Sequence, residues 1–422
     1  MRSFLAFLLF LTALPASADE PKTAAEFVAR GSAQLSEGKI DEAIADFDAA
    51  IKLDPASADA WLKLGNAHYK KKDWTRAAAD YLEVTKLDGK NAKAWRFLGD
   101  AYYNSEDYEQ ASGAYGEAVR LDPKDAKAWR FRGDARYNLK DYAGAIADYT
   151  ESLKFDPKNA SALVYRAEAR HFKGDYDGAV EDGGAAARLE PKNARAFAIS
   201  GKARLAKYDY AGAIQDLSTA VQLDRANADP WRDRAQARQA TGDTEGALAD
   251  YGQSLQADRD SALTYELRGC LRYDLGQWNE ALGDFARAYT LYQEVGSKDF
   301  CMIRAWLVRA RTSREAEGTN LARGWLGQRK APVTDDWDGA RLKYLLGDLT
   351  EPNLFAAAQN ADAAVKKSRE GNAWFLSGSK KAVAGDVEGA KRAMQKAIEL
   401  LNAGTADGAS ARAELARLNG GK

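Results

Sequence analysis

A small residue recurs every 34 positions along most of the chain. It stands at Gly31, Gly65, Gly99, Gly133, Ala167, Gly201, Ala235 and Gly269. A bulky apolar residue lies four positions before each of them, and an alanine lies twelve positions after each. Because this spacing never slips, the pattern indicates a tandem array, which we divide into eight repeats of 34 residues over residues 24–295.

Within one repeat the apolar positions follow two helical stripes. When each repeat is numbered from its first residue (Ala24, Ala58, Ala92 and onward), positions 4, 8 and 11 share one stripe and positions 20, 24 and 27 share another. Two such stripes predict two antiparallel helices in each repeat and an all-α fold. The small residue at position 8 allows two helices to approach closely, and the bulky residue at position 4, often Trp, is predicted to be core.

The third repeat shows the pattern in its fullest form. It contains Trp95, Leu98, Gly99, Tyr102, Ala111, Tyr115 and Pro123. This resembles the tetratricopeptide repeat (TPR) family, whose signature is W-x2-L-G-x2-Y, A-x3-F and P. The resemblance implies a right-handed TPR superhelix, that is, an α-solenoid with a helical C-terminal cap region, and a function in binding other proteins or peptides.

Charged residues recur in register with the repeat. An aspartate at position 16 of six repeats precedes the second helix and is predicted to cap it. Arginine at position 7 recurs with aspartate at position 23, which predicts an ion pair joining the two helices of a repeat. The predicted pairs are Arg30 with Asp46, Arg132 with Asp148, Arg166 with Asp182, Arg234 with Asp250, and Arg268 with Asp284. The alternative, an anion-binding ladder of arginines, is disfavoured because this face should point into the stack.

The fifth repeat departs from the others in its second helix. Gly183 and Gly184 stand where an aromatic residue is usual. Two glycines lower helix propensity and remove a packing group. A bend in the array and a tolerated defect both remain open.

The TPR resemblance also implies which positions face a partner. In TPR folds the first helices line the concave surface through positions 2, 5, 6, 9, 12 and 13. In repeats 2–5 these positions hold a mixture of aromatic, basic, acidic and amide side chains that is typical of protein interfaces. The candidate partner-binding residues are Lys63, Asn66, Tyr69, Lys70, Lys93, Arg96, Phe97, Asp100, Tyr103, Asn104, Lys127, Arg130, Phe131, Asp134, Tyr137, Asn138, Tyr165, Glu168 and His171.

Two observations limit this hypothesis. Arg96 and Arg130 each precede an acid by four residues, so they could serve only as helix-stabilising surface pairs. Phe97 and Phe131 at position 6 also depart from the carboxylate clamp of co-chaperone TPR proteins. Capture of a C-terminal carboxylate is therefore not expected.

The repeat register breaks after the eighth repeat. Residues 296–370 form a connector with predicted helices at 300–308, 337–346 and 352–358, and a ninth TPR-like unit follows at 371–404. A capping helix near 409–418 lies in the last segment, 405–422, and is expected to cover the end of the array. The segments Ile303–Leu307, Tyr344–Thr350 and Ala373–Gly378 resemble the C-terminal half of NlpI-type bacterial TPR lipoproteins. That family implies an envelope adaptor, often a homodimer, although its anchoring cysteine is missing here.

The first 18 residues have the pattern of a secretory signal. Arg2 precedes an apolar stretch from Phe4 to Leu14, and Ala16-Ser17-Ala18 supplies small residues for cleavage before Asp19. The apolar stretch is shorter than a membrane-spanning helix requires. We therefore expect an exported, periplasmic protein without stable membrane insertion after cleavage.

Composition narrows the chemistry further. Lys and Arg total 61 against 62 Asp and Glu, so no overall positive charge favours nucleic acid. Only two His and two Cys are present, and no phosphate-binding loop, zinc-protease helix or serine-hydrolase elbow appears, so we expect neither an enzyme nor a cofactor or metal. Cys270 and Cys301 could form a disulfide or remain buried thiols. The remaining alternatives are a structural spacer and a glycan-acting enzyme that uses Asp100, Asp134 and Glu168.

Overall fold

The computed structural model describes residues 21–329, 336–359, 362–402 and 405–420. Residues 1–18, for which a secretory signal is predicted, lie outside this part. The described residues form α-helices and no strands, in agreement with the predicted all-α solenoid class. They belong to two compact units, an N-terminal unit ending at Leu189 and a C-terminal unit beginning at Glu190.

Over residues 21–189, the described part of the N-terminal unit, there are ten helices, two for each of the first five repeats. They are α1 (Ala24–Ser36), α2 (Ile40–Leu53), α3 (Ala58–Lys70), α4 (Trp74–Leu87), α5 (Ala92–Asn104), α6 (Tyr108–Leu121), α7 (Ala126–Asn138), α8 (Tyr142–Phe155), α9 (Ala160–Phe172) and α10 (Tyr176–Leu189). The second helix of repeat 5, α10, is continuous across Gly183 and Gly184.

The C-terminal unit contains repeats 6–8 and the region that follows them. Its helices are α11 (Ala194–Ala206), α12 (Tyr210–Leu223), α13 (Ala228–Ala240), α14 (Thr244–Ala257), α15 (Ala262–Asp274), α16 (Trp278–Leu291), α17 (Val295–Arg311), α18 (Glu315–Gln328), α19 (Trp337–Leu346), α20 (Glu351–Ala358), α21 (Ala363–Val383), α22 (Val387–Leu400) and α23 (Ala406–Leu418). The sequence pattern did not predict α18, and α21 begins earlier than the expected ninth repeat.

Short turns and caps fix where the helices of each repeat begin. The aspartate at position 16 accepts a hydrogen bond from a backbone amide three residues later, as Asp107 does from Gln110 at 3.1 Å. The predicted capping role is therefore confirmed in all six repeats. The residue before this aspartate has a positive φ angle. Glycine adopts this conformation without steric cost, as at Gly174, whereas at Lys140, with φ of 62°, the side chain makes it unfavourable.

Close approach of the two helices depends on the small residue at position 8. A Cβ atom added to Gly99 would lie 2.6 Å from the ring of Tyr115, the position 24 residue of the same repeat. Gly31, Gly65, Gly133 and Gly269 meet the aromatic ring at position 24 in the same way. The glycine thus gives the ring its space, and the ring fills the interior of the repeat.

The predicted Arg–Asp pairs are confirmed in all five repeats. In each, Nε and one terminal nitrogen of the position 7 arginine donate to the two carboxylate oxygens at position 23, at 2.6–2.9 Å. A second arginine, at position 11, donates to the same carboxylate in four of these repeats; these residues are Arg136, Arg170, Arg238 and Arg272. We call this arrangement the latch.

Two repeats build the latch from other residues. In repeat 2, His68 stands at position 11 in place of the second arginine, and its Nδ1 lies 2.6 Å from the buried Asp80 at position 23. In repeat 6, Ser200 donates to Asp216 at 2.7 Å while Arg204 lies 2.9 Å from the same carboxylate. The aspartate therefore persists although its partners change.

The tryptophans at position 4 are half-buried, so the prediction that they are core was only partly right. Their indole Nε1 atoms donate to backbone carbonyls in the preceding turn at 2.9–3.2 Å. The four residues are Trp61, Trp95, Trp129 and Trp231. An indole that must hydrogen-bond its N–H lies at the edge of the core rather than inside it.

Cys270 and Cys301 are free thiols, and both are buried. The alternative of two isolated thiols is thus the one the structure shows. Burial raises the pKa of both thiols, which keeps them protonated and unreactive.

Replacing Gly99 by alanine tests the close helix approach. Alanine is the better helix former, yet Gly99→Ala should lower the free energy of unfolding by about 1 kcal/mol because its Cβ meets Tyr115. Gly113→Ala on α6 is the control, since no atom lies within 4 Å of its added Cβ, and it should be stabilising. Equal shifts of the two urea-unfolding midpoints would contradict this account.

A double-mutant cycle tests the latch of repeat 5. Asp182→Ala leaves the guanidinium groups of Arg166 and Arg170 without their carboxylate and should cost about 3–5 kcal/mol. Coupling with Arg166→Ala should be about 1–3 kcal/mol, measured by urea unfolding or by hydrogen exchange in α9 and α10. The exposed pair Arg120–Glu117 is the control and should show far weaker coupling. A cycle without coupling would discard the latch.

Candidate functional site

All the predicted partner-binding residues lie on the first helices of repeats 2–5, which are α3, α5, α7 and α9 of the N-terminal unit. The structure connects most of them through contacts that repeat from one helix to the next. We call this set the first-helix face. It consists of an aromatic row, an acidic row, a tyrosine–asparagine row and a set of lysines.

The aromatic row lies at position 6. Phe131 stacks on Tyr115, the position 24 residue of the preceding repeat, with ring centroids 5.8 Å apart. Phe97 contacts Tyr81 at 5.7 Å, and Tyr165 contacts Tyr149 at 6.2 Å. These side chains are half-buried rather than fully exposed, so each offers part of a ring to a partner while the other part seals the junction between repeats.

The acidic row lies at position 9, and sequence reasoning missed what holds it. Tyr115 donates from its hydroxyl to Asp100 Oδ1 at 2.7 Å, and Tyr149 donates to Asp134 at 2.8 Å. In repeat 2, Tyr81 donates to Asn66 at 2.8 Å. The signal was present in the sequence, because tyrosine rather than phenylalanine stands at position 24 in these repeats, each of which has Asn or Asp at position 9.

Arginines at position 5 neutralise the acidic row. Arg130 donates to Asp134 at 2.9 Å and lies over the ring of Phe131 at 4.0 Å. Arg96 makes the same two contacts with Asp100, at 3.4 Å, and with Phe97, at 4.8 Å. The pairs expected from the i,i+4 spacing therefore exist, but they also orient the aromatic row.

Burial dominates the electrostatics of Asp100. It raises the pKa of this carboxyl above its ordinary value, although the hydrogen bond from Tyr115 and the charge of Arg96 act in the opposite direction. Burial and the nearby Asp100 raise the pKa of the Tyr115 hydroxyl as well, so the tyrosine remains a proton donor. Asp100 is thus held as an acceptor for the Tyr115 hydroxyl and for Arg96.

Tyrosines at position 12 and asparagines at position 13 form the third row. Asn104 donates to the hydroxyl oxygen of Tyr69 at 2.9 Å, and Asn138 donates to that of Tyr103 at 3.2 Å. Within the part of the chain that the structure describes, the hydroxyl hydrogens of Tyr69 and Tyr103 meet no acceptor. Burial raises the pKa of both hydroxyls, so both stay protonated and able to donate to a partner.

The row continues into repeat 5 with different partners. Tyr137 donates to Glu168 at 3.2 Å and contacts the ring of Tyr165 at 6.1 Å. His171 lies beside Tyr176, with ring centroids 5.3 Å apart. These residues are therefore tied into the repeat packing as well as placed on the face.

The lysines supply the unpaired charge of the face. Over the described residues, Lys63, Lys93 and Lys127 make no ion pair, and the latter two are exposed. Lys70 donates to the backbone carbonyl of Leu35 at 3.3 Å. Asp59, at position 2 of repeat 2, is exposed, so three unpaired lysines outnumber it and the face is locally basic.

The face presents groups that can bind a partner. In the described ranges, no three His, Cys, Asp or Glu side chains converge so that they could hold a metal ion. The same ranges contain no helix that is both long and apolar enough to span a membrane. What the face presents is half-buried rings, hydroxyl donors and lysine ammonium groups.

Two family models match the chain. One, described as the Cilia and flagella-associated protein 70 C-terminal domain, matches residues 15–131, and the Tetratricopeptide repeat matches residues 126–159. The chain therefore contains tetratricopeptide repeats, and neither match describes a catalytic domain. Proteins with such repeats typically bind other proteins or peptides. No curated protein sequence matches the chain.

Solved structures with a similar fold cover parts of the chain. "Crystal structure of MamA protein" is 24% identical, covers 41% of this chain and 94% of its own, and has a TM-score of 0.39. YrrB, described as "a TPR protein with an unusual peptide-binding site", is 21% identical with coverages of 42% and 92% and a TM-score of 0.39. A tetratricopeptide repeat protein from Parabacteroides merdae is 18% identical with coverages of 58% and 97% and a TM-score of 0.43.

Substitution of Asp100 tests whether the tyrosine bond anchors the face. Asp100→Ala removes the acceptor of the buried Tyr115 hydroxyl and should lower the free energy of unfolding by about 1–3 kcal/mol. Asp100→Asn should retain most of the stability, because Asn66 accepts the same bond from Tyr81 in repeat 2. Equal losses in the two variants, measured by urea unfolding, would rule out this role.

The pH dependence gives a second readout of the same site. Since the pKa of Asp100 is raised in the folded chain, its contribution to stability is fully present below the ordinary value of 3.8 and is lost as pH rises through the folded pKa. Wild type should therefore lose stability relative to Asp100→Asn over this range. A difference that does not vary with pH would contradict the raised pKa.

Proposed function

We propose that the protein is an exported scaffold or adaptor that docks partner proteins on its first-helix face. Coarse support comes from the TPR repeats themselves, whose fold is consistent with a protein-interaction scaffold. The observation that carries the proposal is the continuity of the face: four successive first helices combine half-buried rings with the hydroxyl donors of Tyr69 and Tyr103 and three unpaired lysines. A spacer would have no use for such donors.

The division of roles on the face follows from its contacts. The rings of Phe97, Phe131 and Tyr165 bury apolar side chains of a partner, as aromatic residues do at protein interfaces. The acidic row is already satisfied by tyrosine and arginine, so it holds the face in shape. The Tyr69 and Tyr103 hydroxyls and the lysines then determine which polar groups a partner must bring.

We also propose that the protein acts in the bacterial periplasm and organises proteins of the cell envelope. Support comes from the leader pattern of residues 1–18 and from the resemblance of the C-terminal segments to NlpI-type adaptors. The same resemblance suggests a homodimer. Export is tested by the N-terminal residue of the mature protein, which should be Asp19.

Partner capture tests the face directly. Cross-linked complexes purified from the producing cell should lose specific partners when Tyr103→Ala is combined with Tyr137→Ala, because two rings and a hydroxyl donor disappear from the centre of the face. Phe155→Ala is the matched control, since Phe155 is 45% exposed on α8 and lies outside the face. Circular dichroism should show an unchanged helix content in both variants. Identical partner sets for wild type and the double variant would reject the proposed docking surface.

A further inference from the structure

The last helix of the chain lies against a first helix in the C-terminal unit. Helix α23 packs on α15, the first helix of repeat 8. Its contacts fall on Tyr273 and Asp274, which occupy positions 12 and 13 of that repeat. These are the positions that carry the tyrosine–asparagine row of repeats 2–4. Repeat 8 therefore shows what a helix looks like when it is bound at this part of a repeat.

Acidic side chains hold α23 in place. Glu414, 3% exposed, accepts a hydrogen bond from the Tyr273 hydroxyl at 2.9 Å and another from Nε of Arg311 at 2.7 Å. Asp407 accepts from Arg304 at 2.6 Å, and Arg304 is fully buried. Two carboxylates, seven residues apart on one side of α23, thus meet a tyrosine hydroxyl and two guanidinium groups.

The rest of the contact is apolar or directed at the end of α15. Ala411 is fully buried in a cluster that includes Tyr273 and Phe375. Arg417 donates to the backbone carbonyls of Tyr273 and Asp274, both at 2.9 Å, at the C-terminal end of α15. The bound helix turns Ser410, Ala411 and Glu414 toward the repeat, so acids and small residues form its contact side.

The first-helix face offers the same chemistry without an occupant among the described residues. Tyr69 and Tyr103 stand at position 12, as Tyr273 does, and their hydroxyl hydrogens have no acceptor in the described chain. Lys93 and Lys127 carry positive charge and make no ion pair over the described residues, whereas beside α15 the positive charge comes from Arg304 and Arg311 of α17, which pair with Asp407 and Glu414. A carboxylate placed as Glu414 is placed would satisfy a tyrosine hydroxyl, and a second carboxylate on the same helix would meet a lysine, because the lysines stand ten residues and about 15 Å along the first helix from the tyrosines.

The asparagines argue against an extended occupant. An extended segment needs donors for its backbone carbonyls, whereas a helix satisfies its own backbone. The side-chain amide of Asn104 has two N–H bonds, and they are used by the Tyr69 hydroxyl and by the Asp100 carbonyl. Asn138 is occupied in the same way by Tyr103 and the Asp134 carbonyl. Neither amide retains a donor for a partner backbone.

We propose that the first-helix face of repeats 2–5 binds an acidic, amphipathic α-helix of a partner protein, in the manner in which repeat 8 holds α23. The inference rests on the proposed docking function and names the class of partner. One carboxylate of the helix accepts from the Tyr69 or Tyr103 hydroxyl, another pairs with a lysine nearer the start of the first helices, and apolar residues of the helix cover the rings of Phe97 and Phe131.

Three synthetic peptides test the inference on the full chain. The first is an 18-residue amphipathic helix of Leu, Ala and Glu with Glu at i, i+3, i+4 and i+7. The second has two central alanines replaced by proline, which prevents a continuous helix. The third has Lys in place of each Glu. Fluorescence anisotropy should show binding of the first peptide, and at least tenfold weaker binding of the other two.

Variants locate the binding to the tyrosine hydroxyls. Tyr69→Phe combined with Tyr103→Phe should weaken the acidic helix about tenfold, the loss expected when one hydrogen bond to a charged group is removed. Tyr210→Phe in repeat 6 is the control and should change nothing. Hydrogen exchange with the acidic helix bound should show protection in α3, α5 and α7. An unfolding midpoint equal to that of wild type excludes a folding defect as the cause.

The outcomes separate this inference from the docking function. If the proline peptide binds as tightly as the helical peptide, and Tyr103→Phe weakens both, the partner segment is extended. That result rejects the helical partner but retains the proposed docking surface. An affinity for the acidic helix that is the same in wild type and in the tyrosine variants would also overturn the inference. If no peptide binds and partner capture is unaffected by Tyr103→Ala with Tyr137→Ala, both proposals fail.

Discussion

The buried aspartate at position 23 is the constraint on which the repeat geometry depends. A carboxylate such as Asp182, 2% exposed, is tolerable only if donors surround it, and Arg166 and Arg170 supply three hydrogen bonds from the facing helix. Replacing a buried ion pair by apolar residues is often neutral for stability, so the latch contributes mainly by allowing one register between the two helices. That register sets the orientation of the first helix and of every residue on its outer face.

The third repeat shows that a second device can replace the latch. Leu98 and Ala114 stand at its two latch positions, so no ion pair joins α5 to α6 there. Instead, the hydroxyl of Tyr115 reaches from α6 to Asp100 on α5. The same bond recurs in repeat 4, where Tyr149 reaches Asp134 alongside the latch. Core packing and the first-helix face thus share one side chain, so a substitution on the face also changes the repeat interior.

Self-comparison made most of the fold predictable. The period predicted the helix pairs in eight repeats, the aspartate caps in six and the Arg–Asp pairs in five, because each recurs at a fixed position of the repeat. Two recurring contacts were nevertheless missed, the bond from the position 24 tyrosine to position 9 in repeats 2–4 and the second arginine of the latch in four repeats. Helix α18 was missed because residues 296–370 have no second copy in the chain. The tryptophans at position 4 are half-buried because each indole N–H donates a hydrogen bond to a backbone carbonyl, and a pattern of apolar residues does not predict such a bond.

One residue distinguishes a face that is left open from one that the chain covers. In repeats 3 and 4, position 13 is asparagine, whose amide links to the tyrosine of the preceding repeat and closes a neutral row. In repeat 8, position 13 is Asp274, which has no N–H to give and accepts from Ser410 of α23 at 2.6 Å. Burial under that helix raises the pKa of Asp274 to about 6. An acid at position 13 requires donors from a covering helix, whereas asparagine donates to the tyrosine hydroxyl oxygen of the preceding repeat. The hydroxyl hydrogens of Tyr69 and Tyr103 then remain for the helix that we propose as partner.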